Sequence, residues 1–330
     1  IVYLGAKTYK INTGLILDNR CLQFHCDGII EYTGTGSAIS VKHSLMNIYI
    51  NQIKAPNGTG LYLTGAEHQC VTNNIKVNRI EESVVGLYLH NHGEHNSVFY
   101  NQIDIGSIHS TDICVLISAE SGYINENHFW FGKLSGGNVG VKIYSSGLSG
   151  CAAGGNRFFK GSCENLKDNT DNTCAIWLEN ADGNTFSNFR CEENHGGKAI
   201  VFKGVSFKND IWISSCPLGG IDITEMESGS EYNVVRGVVA TGKPYQGGYG
   251  CGTEAQVSYS KGIVYDTRYA NIHIYVDNSI FADKIIKQVE DTDGNYLIPS
   301  SLFFAGAVTG TYTLSPLYSE YGSINRGNPL

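Results

Sequence analysis

Seven times along the chain a block recurs that opens with Asn, places a large apolar residue two positions on, and a small or apolar residue seven positions on. Its anchors are Asn73, Asn96, Asn127, Asn156, Asn184, Asn209 and Asn233, spaced 23, 31, 29, 28, 25 and 24 residues apart. Ile75, Val98, Phe129, Phe158, Phe186, Ile211 and Val235 follow at the first apolar position; Ile80, Ile103, Leu134, Cys163, Cys191, Cys216 and Ala240 follow at the second. A block at Met46 fits the same frame without the Asn. A second alternating stretch lies between blocks, at residues 60–63, 86–89, 114–117, 140–143, 175–178, 199–202 and 220–223, with its second and fourth residues apolar. A sustained period of this size marks a repeat architecture, and alternation with period two marks half-buried strands.

Short strands in every repeat, with no helical period, predict a coil of parallel β-structure in which equivalent residues stack about 4.8 Å apart along the axis. The fold expected is all-β: a right-handed, single-stranded parallel β-helix over residues 1–240, with about nine coils in a rod on the order of 40 Å long. After residue 240 the Asn spacing is lost and a Gly-rich stretch at 242–250 opens a different, β-rich part, 241–330, expected to cap the solenoid or to help it trimerise. The Asn anchors are expected to serve the turns, because Asn tolerates left-handed backbone and bonds its own turn, and stacked Asn can bond from coil to coil.

Composition agrees and excludes other classes. Only 16% of the 330 residues are charged, while Gly numbers 40 and Tyr 20, a profile far from that of a helical bundle. The apolar and aromatic content is too high for disorder. A net charge of −8 disfavours a nucleic-acid partner, and no apolar run approaches the roughly 18 residues of a membrane span, so no membrane insertion is expected. The chain starts in strand-like residues without an initiator Met or leader pattern, as if it began inside a larger protein or after processing.

The opening residues Tyr3-Leu4-Gly5-Ala6-Lys7-Thr8-Tyr9-Lys10-Ile11, the segments at 15–17 and 29–39, and the repeated Asn-x-Phe coils such as Gly183-Asn184-Thr185-Phe186 resemble pectate-lyase-like β-helices. They are especially similar to bacteriophage tailspikes and tail-fibre depolymerases. The resemblance covers residues 1–240. It implies a homotrimer on a virion tail, or alternatively a secreted protein, that contacts a bacterial surface polysaccharide. It does not fix the chemistry, since such proteins include lyases, hydrolases, epimerases and non-catalytic binders. Neither the Ca²⁺-binding Asp cluster of pectate lyases nor the paired Asp-Asp segment of polygalacturonases is present.

Candidate catalytic residues come from the outward column eight positions past each anchor: Glu81, Asp104, Ser135, Glu164, Glu192, Pro217 and Thr241. Glu164 and Glu192 fall on adjacent coils, as do Glu81 and Asp104. Two carboxyls at coil spacing raise the pKa of one of them, giving the acid and the base or nucleophile that glycoside cleavage needs. Two positions earlier run Arg79, Lys133 and Arg190, so a salt-bridged, solvated face is the competing reading. Arg190 and Glu193 crowd the Glu164/Glu192 pair, and Asp182 and Glu179 could supply a further acid. Outward aromatics form another column, Phe99, Trp130, Phe159 and Trp212, joined by Tyr62, Tyr88 and Trp177 from the second strand. Phe99, Trp130 and Phe159 suit a subunit interface, whereas Trp177 and Trp212 suit stacking on sugars.

The ten Cys show no zinc spacing and are expected as reduced core thiols, although Cys163, Cys191 and Cys216 share a column close enough for a disulfide. His90, His92 and His95, with Glu94, could ligate zinc only if three ligands converged, and no metal or cofactor is expected. The reading is a tailspike-like protein that binds and cleaves a capsule, O-antigen or teichoic acid. Glu164 and Glu192 share the acid and base or nucleophile roles, Arg190 holds anionic substrate, and Trp177 or Trp212 stacks on sugar. The alternatives are a non-catalytic receptor-binding module and a polysaccharide lyase or epimerase.

Overall fold

The computed structural model describes residues 1–92, 97–148, 152–167, 173–192 and 198–215, together with strands at 233–237, 255–259, 263–266, 272–276 and 310–314. Among the described residues all regular structure is strand, and parallel strands stack as a β-solenoid of about seven turns. No described helix is long and apolar enough to cross a membrane.

Each complete coil has three faces. The first is built by Asn47–Lys54, the leading parts of Asn74–Asn91 and Gln102–Ala119, then His128–Ser135, Arg157–Glu164, Thr185–Glu192 and Asp210–Ser215. At its start it takes in Val2–Leu4 and Gln23–Tyr32. The second face stacks Ser37–Val41, Thr59–Thr64, the trailing parts of the two 18-residue strands, Val139–Ser145, Cys174–Glu179 and Lys198–Lys203. The third is a narrow ladder of Cys70–Val71, Ser97–Phe99, Tyr123–Asn125, Ala152–Gly154 and Ala181–Asp182.

In-register stacking of like side chains fills the interior. Ile75, Ile103, Phe129, Phe158, Phe186 and Ile211 are partners on successive coils, and all are buried. The Phe158 ring lies 4.6 Å from Phe129 and 4.2 Å from Phe186, nearly parallel to both. Each coil thus buries its inward residues against the coils above and below, which is why this length forms one stack rather than several cores.

The corner between the third and first faces explains the Asn repeat. Leu45, Thr72, Tyr100, Glu126, Gly155, Gly183 and Lys208 all have φ between 53° and 65°, and each directly precedes Met46 or an Asn. A left-handed residue here costs free energy unless it is Gly, and the buried Asn that follows offsets it. Asn73, Asn101, Asn127, Asn156, Asn184 and Asn209 form a ladder in which each Nδ2 donates to the Oδ1 of the next at 2.9–3.1 Å. The same Oδ1 accepts the backbone N–H of the preceding Asn.

The ladder differs from the sequence reading at one rung. Asn101, not Asn96, is the second member, and Asn96 itself lies outside the described residues. With Asn101 the intervals become 28, 26, 29, 28 and 25. Val98 consequently leaves the first face and stacks on the third, between Cys70 and Ile124. Toward the other end, parallel pairing carries the first face on through Asn233–Gly237 to Ile263–Asp266. Strands Ala255–Tyr259, Ile272–Val276 and Gly310–Leu314 form a separate small sheet with one antiparallel pair, and the rest of 216–330 lies outside the described residues.

Candidate active site

The trailing edge of the first face carries the expected carboxylate column. Ser135, Glu164 and Glu192 are Cα partners on successive coils, so Glu164 and Glu192 are neighbours as the spacing requires. One step in front of them, across the inward Cys163 and Cys191, Ser162 and Arg190 are likewise partners. Glu164 is held firmly. Lys133 Nζ lies 2.8 Å from its Oε2, and Ser162 Oγ donates to its Oε1 at 2.7 Å. The Lys133 hydrogen bond, then that of Ser162, hold the carboxyl below its usual range against the opposing effect of burial, and the Arg190 charge adds to this. Glu164 is therefore a standing carboxylate suited to accept a proton or attack. It is not the member of the pair raised toward the protonated form.

The other candidate acids are dispersed. Glu81 sits beside Lys54 in register, accepts a 2.5 Å hydrogen bond from Gln52 Nε2 and lies 3.7 Å from Arg79. Asp104 is not its neighbour. The ladder through Asn101 places Asp104 between Lys76 and Trp130, three positions past the anchor rather than eight, and gives the place beside Ser135 to His109. Asp182 is exposed on the third face, around a corner from the carboxylate column. Glu193 lies outside the described residues.

The aromatic candidates separate too. Trp212 is 48% exposed on the first face. Trp177 points outward by alternation but is only 7% exposed. It packs in a small apolar cluster with Val139, Cys174 and Val201, beneath Lys142 at 4.8 Å and Lys203 at 4.3 Å from its ring. Its Nε1 donates to Glu179 Oε2 at 3.0 Å. Both ammonium groups gain from the indole quadrupole, so the ring serves as a fastener on the second face and offers no open surface to a sugar. Phe99 lies on the third face against Tyr100, whereas Trp130 and Phe159 do stack, 5.0 Å apart.

Residues that the sequence reading passed over line the leading edge of the same face. Tyr3, His25 and Tyr49 are partners on successive coils, with ring centroids 5.2 and 4.6 Å apart. Asp27 accepts from Tyr3 O–H at 2.6 Å and bonds His25 Nε2 at 2.7 Å. These bonds lower the Asp27 pKa, Tyr3 first and His25 second, and the same bond raises that of Tyr3. Carrying the outward alternation back to the first strands would have found them.

The histidines near the second face lie ring against ring: His43 stacks on His68, and His92 tilts against His90, each 4.9 Å between ring centres. His90 Nδ1 lies 2.9 Å from Tyr62 O–H, and burial lowers its pKa. His95 and Glu94 fall outside the described residues. All seven described cysteines are free thiols, six of them buried, and burial pushes the Cys70 thiol up to about 12.

Residues 2–112 match the family described as periplasmic copper-binding protein (NosD). The match spans the first coils, and with the observed stacking it identifies the chain as a parallel β-helix protein. No curated protein and no solved structure matches the chain. Among the described residues no group of three or more His, Cys, Asp or Glu converges to hold a metal ion. The likeness to that family is one of fold.

Proposed function

We propose that the protein binds a bacterial surface polysaccharide (capsule, O-antigen or teichoic acid) along its first face and cleaves it at the trailing edge. This is the work of a tailspike-like depolymerase assembled as a homotrimer on a virion tail. The observation that carries the reading is Glu164, held as a carboxylate by Lys133 and Ser162 with Glu192 in register on the next coil. In this reading Glu164 attacks the anomeric carbon or activates water, and Glu192 protonates the leaving oxygen. Carboxyls about 5 Å apart retain configuration, and a gap of roughly 6.5–9.5 Å admits water and inverts it. The carboxyl separation therefore decides between the two outcomes. Arg190 neutralises an anionic substituent, and Trp212, exposed further along the face, stacks on a sugar ring.

Reducing-end release from a panel of capsules, O-antigens and teichoic acids tests cleavage. Glu164→Gln and Glu192→Gln are each expected to lower kcat by about 10²-fold or more. Wild-type rates in both variants would overturn the site. A second reading, receptor binding without cleavage, is favoured by the hold of Lys133 on Glu164. It predicts polysaccharide binding with no new reducing ends and no unsaturated product.

A further inference from the structure

We propose that the leading edge of the first face is a separate saccharide site, a groove over the N-terminal coils that takes an uncharged glycan chain along the solenoid axis. The inference rests on the reading that this face meets polysaccharide, but it concerns residues far from Glu164. The two edges are five positions apart on each strand, roughly 16 Å at strand rise.

The groove has room for about 510 Å³, within the ordinary range of ligand sites. One wall is the ring column of Tyr3, His25 and Tyr49. Asp27 ties down its first two members by taking the Tyr3 hydroxyl and His25 Nε2, one on each oxygen. The wall is therefore apolar in its body, polar at its rim and fixed in position.

Beside the rings runs a row of carboxamides. Gln23, Asn47, Asn74 and Gln102 are Cα partners on consecutive coils, all exposed, two residues ahead of the ring column on each strand. None of these side chains makes a hydrogen bond among the described residues. The contrast lies within the same chain: one position earlier, the buried Asn ladder has its donors and acceptors occupied from coil to coil. The outer row presents two N–H donors and an acceptor oxygen about every 4.8 Å, uncommitted to the protein. Such a row matches a ligand that repeats hydroxyl or acetamido groups along its length.

Charge selects the ligand further. Lys76 and Asp104 follow Tyr49 in the same column, are partners of each other, and neither forms an ion pair among the described residues. Asp27 lies behind the ring wall. The groove floor thus carries one ammonium and one carboxylate side by side, favouring neither a polyanion nor a polycation, so an uncharged chain fits it best.

Glycan-array binding followed by isothermal titration of the best neutral ligand tests the site. Neutral glycans are expected to bind, with affinity that changes little between about 50 and 300 mM NaCl. The double variant Asn47→Ala/Asn74→Ala should weaken binding at least about tenfold, as should Tyr49→Ala. The carboxamide variant removes no bond within the protein, so its folding is not at issue, and circular dichroism should match wild type. Glu164→Gln and Glu192→Gln should bind at the groove like wild type, which separates this site from the proposed cleavage site. Binding confined to anionic glycans or to extended peptides, a steep salt dependence, or wild-type affinity in the carboxamide variant would overturn the inference.

Discussion

Asn156→Ala tests whether the buried ladder, rather than strand propensity, closes the coils. The Asn156 Oδ1 accepts from both the backbone N–H and the Nδ2 of Asn127, at 3.1 and 3.0 Å. Its Nδ2 donates to Ile124 O and to Asn184 Oδ1, each at 3.1 Å. Alanine removes all four bonds, and the groups left behind differ in what remains to them. Asn127 Nδ2 keeps Val98 O and Asn125 O, and Asn184 Oδ1 keeps the Asn156 N–H. The Asn127 N–H keeps nothing and stays buried. One stranded donor costs about 1–3 kcal/mol and each of the other three losses about 0.5–1, for a total of about 2.5–6 kcal/mol. At about 2 °C per kcal/mol for a stack of this size, the melting temperature should fall by about 5–12 °C. Thermal melting followed by circular dichroism reads this directly, with Asn47→Ala as an exposed control expected within about 0.5 kcal/mol of wild type. If Asn156→Ala melts within about 2 °C of wild type, the ladder is not what holds the turns.

The remaining predictions are more local. Because Lys133 and Ser162 depress the Glu164 pKa in the folded state, their contribution is present above the unfolded value near 4.3 and is lost as pH falls through the lower folded value. A Lys133/Glu164 double-mutant cycle should therefore give a coupling of about 0.5–1 kcal/mol at pH 7 and none once Glu164 is protonated; a pH-independent coupling would refute the ion pair. Trp177→Ala should destabilise by about 3 kcal/mol, seen as a lower urea midpoint, and Trp177→Phe by less; loss of glycan binding without loss of stability would instead restore the indole to a binding role. Among the described cysteines, thiol labelling of the native protein read by peptide mass spectrometry should mark Cys21, the exposed one, and spare Cys26, Cys70, Cys114, Cys163, Cys174 and Cys191 until denaturant is added.

The solenoid was legible because its physics repeats. Phe129, Phe158 and Phe186 must stack if each follows an Asn by two residues, and the Asn must be buried if the preceding residue turns left-handed at every coil. Alternation also gave the correct side of the sheet for Trp177. What covers that side was not written locally. Lys142 comes from the coil before and Lys203 from the coil after, so the fate of the indole depends on residues 35 positions behind it and 26 ahead. In the same way the spacing placed Glu164 beside Glu192, but the direction of the Glu164 pKa followed from Lys133, which reaches it from the preceding coil. Partners on neighbouring coils decide a residue's chemistry, and a one-dimensional pattern names those partners only when its register is right.

The rung at Asn101 shows how much rests on that register. Asn96 and Asn101 both satisfy the local rule, since Val98 and Ile103 are each apolar two residues on. Evenness separates them: through Asn96 the intervals are 23 and 31, through Asn101 they are 28 and 26. A coil of fixed circumference can absorb extra residues by bulging at a corner, but it cannot lose a third of a face without breaking the ladder bonds above and below. The even choice is therefore the physical one. The five-residue slip carries Asp104 away from Glu81, where it would be one of a pair of acids, and sets it after Tyr49 and Lys76 at the floor of the N-terminal groove. An apparent second catalytic dyad thus becomes a carboxylate beside an ammonium, neither in an ion pair among the described residues, and the acids of the first face are divided between two edges with different chemistry.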